Sequence, residues 1–161
     1  MKSDEYPTPP ASIEVVAAWL DSNEINFFLT PEGDTIQFFF DLKEVNLCVG
    51  CLESEGLFIV IVVFPVKSSI EKRDVVGEYI DGLRQGIIDS PVEVGYSFDD
   101  GEVRLRVKAD LSIDTLNHDF FNLMLRKVFF YADKIFPNLN CVMTGAMKPD
   151  FALDQTMAAF K

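Results

Sequence analysis

The chain has 161 residues, of which 48% are hydrophobic and 15 are Phe, and its formal net charge is −12. A chain of this length buries roughly two thirds of its surface when it folds as one domain, and its composition excludes the polar, charge-rich signature of disorder. The excess of 26 acidic over 14 basic residues repels phosphate backbones and anionic lipids, so we expect neither nucleic acid nor a membrane as a partner. The acidic charge suits a protein that shields a basic or apolar segment of another chain, but it also serves solubility alone, and we favour the latter interpretation.

The chain is predicted to begin with a flexible leader over residues 1–11, followed by a single domain over residues 12–161. The leader, MKSDEYPTPPA, has acidic residues and prolines where a signal peptide needs a basic start and an apolar run. We therefore expect a cytoplasmic protein. Ser12 is predicted to cap a first helix, IEVVAAWLDS. Its apolar stripe consists of Val15, Val16, Trp19 and Leu20.

Four strands are predicted after the first helix. INFFLT and TIQFFF form a candidate hairpin around residues 31–34, where Pro and Gly set the turn geometry. A third strand, VNLCVGCLE, turns at residues 54–56 into a fourth, LFIVIVVFPV. Ten apolar residues are too few to span a bilayer as a helix, for which about 20 are needed. The β-branched composition of this run predicts a buried strand.

The second helix is predicted from about Ser69 to residue 88, IEKRDVVGEYIDGLRQGII. Its apolar positions repeat at three and four residues, and they are Val75, Val76, Tyr79, Ile80, Leu83 and Ile87. Three glycines, Gly77, Gly82 and Gly86, lie within it, and each costs about 1 kcal/mol relative to alanine in a helix interior. We predict that they allow close packing against a neighbouring sheet or helix.

The clearest local pattern is a hairpin of VEVGYSF and EVRLRVKA around the turn at residues 99–101. In its second strand, charged and apolar residues alternate, which predicts one face in water and one in the core. The charged positions are Glu102, Arg104, Arg106 and Lys108, and the apolar ones are Val103, Leu105 and Val107.

A third helix, predicted over residues 115–136, is apolar on two sides. The side expected to dock on the sheet consists of Phe121, Met124, Leu125, Val128 and Ile135. The other side consists of Phe120, Leu123, Lys127 and Phe130. A helix of this kind needs two partners. The second partner is the chain's own tail, PDFALDQTMAAF, which is predicted to be a short helix beginning at Pro149, or a second subunit, or a client; we favour the tail.

Cys48 and Cys51 have the spacing found in zinc and thiol-disulfide centres. An odd total of three cysteines indicates reduced thiols. In an extended strand, residues three apart point to opposite faces, so these two thiols are not expected to share a metal. Two further ligands would have to come from Cys141 and His118, which form no knuckle-like pair. We predict no metal site.

No local arrangement predicts catalysis or cofactor binding. His118, the only histidine, lies in the polar opening DTLNHD of the third helix without a serine or cysteine beside it. The glycines at 82 and 86 are not followed by Lys-Ser or Lys-Thr, and they lie inside a helical pattern rather than a phosphate-binding loop. The acidic pair at residues 99–100 is explained by turn formation. We therefore predict that the protein is not an enzyme and uses no cofactor.

Three stretches resemble the YbjN-like family of bacterial proteins, which are described as regulators of sensory transduction. They are FIVIVVFPV, VEVGYSFDDGEVRLRVKADL, and DFFNLMLRKVFFYADKIFPNLNCVMTG followed by KPDFALDQ. The resemblance covers roughly residues 11–158. It implies the α+β fold of type III secretion chaperones, with the order α-β(3 or 4)-α-β(2)-α, an antiparallel sheet covered by helices, frequent dimers and no active site.

The pattern and the resemblance favour a non-enzymatic cytosolic protein-binding module, an adaptor, a regulator or a chaperone-like holder that also forms a homodimer. Its predicted dimer or partner surface is Phe120, Leu123, Lys127 and Phe130. One alternative is a monomeric structural or scaffold domain without a client. A small-ligand or metal-dependent enzyme is a third, less favoured alternative, because the sequence contains no local catalytic arrangement.

Overall fold

The computed structural model describes residues 10–43, 45–87 and 90–161. The predicted α+β class is confirmed, and these residues form four helices and one sheet of six strands. In chain order the elements are α1 (Ala11–Ser22), β1 (Phe27–Leu29), β2 (Thr35–Leu42), β3 (Val45–Ser54), β4 (Leu57–Lys67), a 3₁₀ turn (Ile70–Lys72), α2 (Arg73–Gly86), β5 (Glu93–Tyr96), β6 (Glu102–Asp110), α3 (His118–Thr144) and α4 (Pro149–Ala159).

The sheet is antiparallel throughout and has the strand order β1-β2-β3-β4-β6-β5. The predicted first hairpin, the four consecutive strands and the β5–β6 hairpin are all confirmed. β3 and β4 are joined by Glu55 and Gly56, which both have positive φ (51° and 79°). Two such residues match the twist of the flanking strands in a tight hairpin. Because β6 pairs with β4, the second hairpin extends the same sheet.

All four helices lie on one side of this sheet, and one core of buried residues runs from Ile13 in α1 to Ala152 in α4. The alternation along the strands shows this directly. In β4 the burial alternates from Leu57 to Phe64, with every second residue buried. β6 alternates in the same way, which confirms the prediction of one core face and one water-facing side for that strand.

The first helix begins earlier than predicted. Pro10, not Ser12, is the residue before the first helical turn, and its carbonyl accepts hydrogen bonds from the backbone N–H groups of Ile13 and Glu14. Ser12 is inside the helix and buried, and its hydroxyl donates to the Glu53 carboxylate at 2.9 Å. The predicted Ser12 cap is therefore wrong, because this hydroxyl joins α1 to β3. Of the predicted leader, residues 1–9 lie outside the described residues and Ala11 belongs to α1.

The second helix confirms the prediction about its glycines. A Cβ at Gly77 would lie 2.8 Å from the Phe98 ring, one at Gly82 would overlap the Leu153 side chain, and one at Gly86 would lie 2.8 Å from the Met157 sulfur. The glycines at 82 and 86 thus form the surface of α2 on which α4 packs. The α-helix begins only at Arg73, after the 3₁₀ turn, and ends at Gly86. Residue 88, the predicted helix end, lies outside the described residues.

The third helix is longer than predicted. Asn117 caps it by accepting a hydrogen bond from the Phe120 N–H at 2.8 Å, but the helix continues through Pro137 to Thr144. The predicted end at residue 136 is wrong. Proline inside a helix removes a hydrogen bond and costs about 3 kcal/mol, and the burial of Leu139 and Val142 beyond it offsets this cost, since each buried aliphatic side chain contributes about 1.5–3 kcal/mol.

The chain's last helix, α4, forms where it was predicted, with Pro149 at its first position. A buried polar contact fixes it to the rest of the fold. The hydroxyls of Tyr79 on α2 and Thr156 on α4 lie 2.7 Å apart, and Thr156 also donates to the Ala152 carbonyl at 2.9 Å.

Within the described residues, no helix combines the length and the apolar character needed to cross a bilayer.

Candidate functional site

The two cysteines of the NLCVGCLE stretch point to opposite faces of β3, as predicted. Cys51 pairs with Ile36 and is fully buried in the core, whereas Cys48 pairs with Phe39 on the other face and is half-buried. Burial raises the pKa of the Cys51 thiol far above its usual range. Burial, followed by the charge of Glu102, raises the pKa of Cys48. Both thiols are therefore protonated and poor nucleophiles at neutral pH.

His118 lies exposed at the first position of α3, in the solvated helix start that the sequence predicted. Within the described ranges, no group of three or more His, Cys, Asp or Glu side chains is placed to hold a metal ion. The prediction that the protein is not an enzyme and uses no cofactor remains a prediction.

A groove of about 510 Å³ lies between the β2–β3 hairpin and the second half of α3. Its polar groups include an ion pair in which the Lys43 ammonium lies 3.1 Å from the Asp133 carboxylate, as well as Lys134 and the amides of Asn138 and Asn140. The described lining includes no histidine, cysteine or serine, so it does not place a nucleophile next to a base.

The predicted partner surface lies on one side of α3, and we call it the α3 strip: Phe120, Leu123, Lys127 and Phe130. Leu123 is 48% exposed and Phe130 is 49% exposed, Lys127 is exposed, and Phe120 is half-buried against the core edge. Because a helix rises 1.5 Å per residue, the strip is about 15 Å long. The opposite side of α3 is buried on the sheet at each of the five positions that the sequence indicated.

The tail covers only one end of the α3 strip. α4 packs against both α2 and α3, and the Phe160 ring that follows it lies 5.0 Å from the Tyr131 ring and 5.9 Å from the Phe130 ring, measured between centroids. The Lys134 ammonium lies 5.4 Å from the centroid of the Phe130 ring. Half of the Leu123 and Phe130 side chains remains in solvent after the tail has packed.

The larger apolar surface is the side of the sheet that faces away from the helices, and we call it the open sheet face. In the middle of this face, the outward residues of β2, β3 and β4 are mostly apolar or small: Thr35, Gln37, Phe39, Cys48, Gly50, Leu52, Ile59, Ile61 and Val63. Asp41, Asn46 and Ser54 lie nearer its ends. Phe39 is 66% exposed, and Phe28 on β1 is 60% exposed on the same face. The row of Arg104, Arg106 and Lys108 on β6 borders it.

Sequence reasoning missed this face, although it had the relevant observation. The apolar run of β4 predicted a buried strand, but only alternate residues of β4 are buried. A strand that is apolar on both sides is typical of a sheet covered on both faces. The unbroken apolar run was therefore a signal for a second layer, and within the described residues the chain supplies only one.

No family model matches the chain, and a search of curated proteins finds no significant match.

Proposed function

We propose that the protein is a non-enzymatic protein-binding module, an adaptor, a regulator or a chaperone-like holder, that binds its client through the α3 strip. The observation that supports this most directly is the incomplete cover of α3, since the tail has packed and Leu123 and Phe130 are still about half exposed. Apolar side chains in a row on a helix are the usual contact for an amphipathic segment of another protein. The YbjN-like resemblance and the predicted cytoplasmic location agree with such a role and remain predictions.

The charge along the α3 strip indicates the chemistry of the client. Lys127 lies between the two exposed apolar residues, and Lys134 lies one turn beyond Phe130. Although the whole chain carries a net charge of −12, the α3 strip therefore presents one ammonium group among its apolar residues, and Lys134 adds a second beside Phe130. A client segment that combines apolar anchors with acidic side chains would fit it.

The test is capture of a partner from lysate on the full chain, followed by rebinding of the identified and purified partner. Leu123→Asp is expected to weaken rebinding by at least about tenfold, because it places a carboxylate in a desolvated apolar contact. Lys127→Glu is expected to weaken it through charge reversal. Ile70→Asp is the matched control, since Ile70 is 78% exposed on another element; we expect it to bind like the unmodified chain.

A partner that binds the Leu123→Asp and Ile70→Asp variants equally well would contradict the α3 strip as the client site. A folded bait that rebinds no purified candidate would favour the alternative of a scaffold domain without a client. Circular dichroism of each variant separates loss of binding from loss of fold.

A further inference from the structure

Gly50 lies in the middle of the open sheet face, and no contact among the described residues explains a glycine there. It pairs with Gln37 on β2 and Ile61 on β4, a Cβ at this position would meet nothing within 4 Å, and its φ is not among the positive values of the chain. Glycine inside a strand weakens the strand, and it often marks a place where another chain approaches closely. A notch over Gly50 is therefore open to a side chain from outside.

Three neighbouring rows of the open sheet face cross β2, β3, β4 and β6. The rows are Phe39, Cys48, Val63 and Arg104; Gln37, Gly50, Ile61 and Arg106; and Thr35, Leu52, Ile59 and Lys108. In each row the two central residues are apolar or glycine. β3 and β4 are also the two middle strands of the six, with two strands on each side. Consider a second copy related to the first by a two-fold axis that is parallel to the strands and runs between β3 and β4. Each row then faces the same row of the other copy in the opposite direction, so that β3 faces β4 and β2 faces β6.

We infer that the open sheet face is the contact between two copies of this chain, packed sheet on sheet around such an axis. In this arrangement Ile61 of each copy enters the notch over Gly50 of the other. The Arg104 guanidinium of each copy lies over the Phe39 ring of the other, in a cation–π contact. The surface is then self-complementary, as a two-fold contact between identical chains requires, and the two sheets stack as the layers of a sandwich.

The charge of this face favours a second copy over a basic partner. The charged side chains at its paired strand positions are four basic ones, Lys67, Arg104, Arg106 and Lys108, and four acidic ones, Asp41, Glu93, Glu102 and Asp110. Several already pair within the chain, since Arg104 contacts Glu102 at 2.8 Å and Arg106 contacts Glu93. The face is thus neutral in a chain of net charge −12, so two copies meet where their repulsion is weakest.

The size of the face also matches a second copy. The three rows cross four strands about 4.8 Å apart and lie about 6.8 Å from one another, which gives a plane of roughly 19 by 20 Å; Phe28 on β1 and Glu93 and Gly95 on β5 widen it to about 490 Å² in projection. A stable interface buries about 800 Å² of accessible surface per partner, and the accessible surface of a side-chain-covered plane exceeds its projection. One extended peptide is only about 5–10 Å wide and would leave much of the apolar centre uncovered.

The test is sedimentation velocity of the full chain between about 1 and 100 μM, where an interface of this size is expected to give a dimer dissociation constant of about 1 μM or lower. Ile61→Lys should raise this constant at least about 100-fold, because two ammonium groups enter the centre of the contact. Gly50→Val should raise it about tenfold by filling the notch. Ile70→Lys, on an exposed side chain outside the face, should leave it unchanged.

Gly50→Val keeps the test decisive if Ile61→Lys fails to fold, because a β-branched residue at an unstrained, open strand position should leave the monomer as stable as before or more so. A chain that is monomeric at about 100 μM, or a dimer that survives both face variants, would overturn the inference. Dissociation by Leu123→Asp but not by Ile61→Lys would also overturn it, by placing the contact on the α3 strip. The client-binding proposal is tested separately through Leu123→Asp, so either proposal can fail alone.

Discussion

Gly101→Ala should destabilise the protein strongly, because Gly101 fixes the β5–β6 turn against the end of β4. Its φ is 76°, and a Cβ there would lie 2.6 Å from the Ser68 hydroxyl oxygen and 2.9 Å from the Ser68 backbone nitrogen. The Ser68 N–H donates to the Gly101 carbonyl at 3.0 Å. The two backbones cannot separate to admit a methyl group without stretching this hydrogen bond.

The expected loss has two parts. A left-handed conformation costs a non-glycine residue about 1–2 kcal/mol, and overpacking against a rigid neighbour adds about 1–3 kcal/mol. We therefore expect Gly101→Ala to lower the free energy of unfolding by about 2–5 kcal/mol. Gly56→Ala is the matched control, because Gly56 has nearly the same φ, 79°, while a Cβ there would meet nothing within 4 Å. It should lose only the conformational part, about 1–2 kcal/mol.

Urea unfolding followed by circular dichroism measures both losses on the same scale. The difference between the two variants isolates the contact with Ser68, since the φ values of the two glycines match. Equal losses for Gly101→Ala and Gly56→Ala would refute the reasoning, because they would show that the Ser68 backbone yields without cost.

Three further predictions concern the core, the thiols and a helix cap. Burial raises the pKa of Tyr79 to about 12, above about 10 for an unfolded tyrosine, so the stability that this group contributes should be complete below about pH 10 and be lost as the pH rises towards 12. Tyr79→Phe should remove this part of the alkaline loss in urea titrations, leaving the part due to Cys51, whose pKa burial also raises, and should cost about 1 kcal/mol at neutral pH; an unchanged alkaline loss would contradict it. Mass spectrometry after treatment with a thiol reagent should find Cys51 unmodified in the native protein, with Cys48 modified slowly, and native protein modified at Cys51 would be inconsistent with its burial. Asn117→Ala should cost about 1 kcal/mol by removing the helix cap, while His118→Ala should change stability by less than about 0.5 kcal/mol; equal effects in urea unfolding would argue against the cap.

Local patterns predicted those parts of the fold in which neighbouring residues decide the outcome. The alternation in β6 predicted both its strand and its buried face, and the turn residues predicted the hairpins. The glycines of α2 predicted a close neighbour, but not its identity. Gly82 and Gly86 are the positions at which α4 packs closely on α2. No local pattern between residues 82 and 149 indicates which distant helix packs there.

Other parts depend on tertiary contacts that local patterns do not contain. Serine is a common helix-cap residue, yet the Ser12 hydroxyl donates a hydrogen bond to Glu53, which is distant in sequence. Pro137 is a helix breaker by local rules, but the burial of Leu139 and Val142 continues α3 past it. For the α3 strip, periodicity identified the side of the helix, whereas only the folded structure shows that the tail leaves it partly uncovered.

The open sheet face was the largest feature that local patterns did not reveal. The β4 run indicated a strand that is apolar on both sides, but the number of layers over a sheet depends on where every helix of the chain packs. The helices α1 to α4 all lie on the same side. Within the described residues no second layer covers the other side of the sheet, and this is why the apolar run of β4 bears on function as well as on the core.

Hydroxyl-radical footprinting of the full chain, read by mass spectrometry, tests most directly whether the two apolar surfaces have separate occupants. We expect Phe39 and Cys48 to lose reactivity as the protein concentration rises, while Leu123 stays reactive until the purified client is added and Ile70 does not change at any step. Protection of Leu123 together with Phe39 in the protein alone, or no protection of Phe39 at any concentration, would contradict the account.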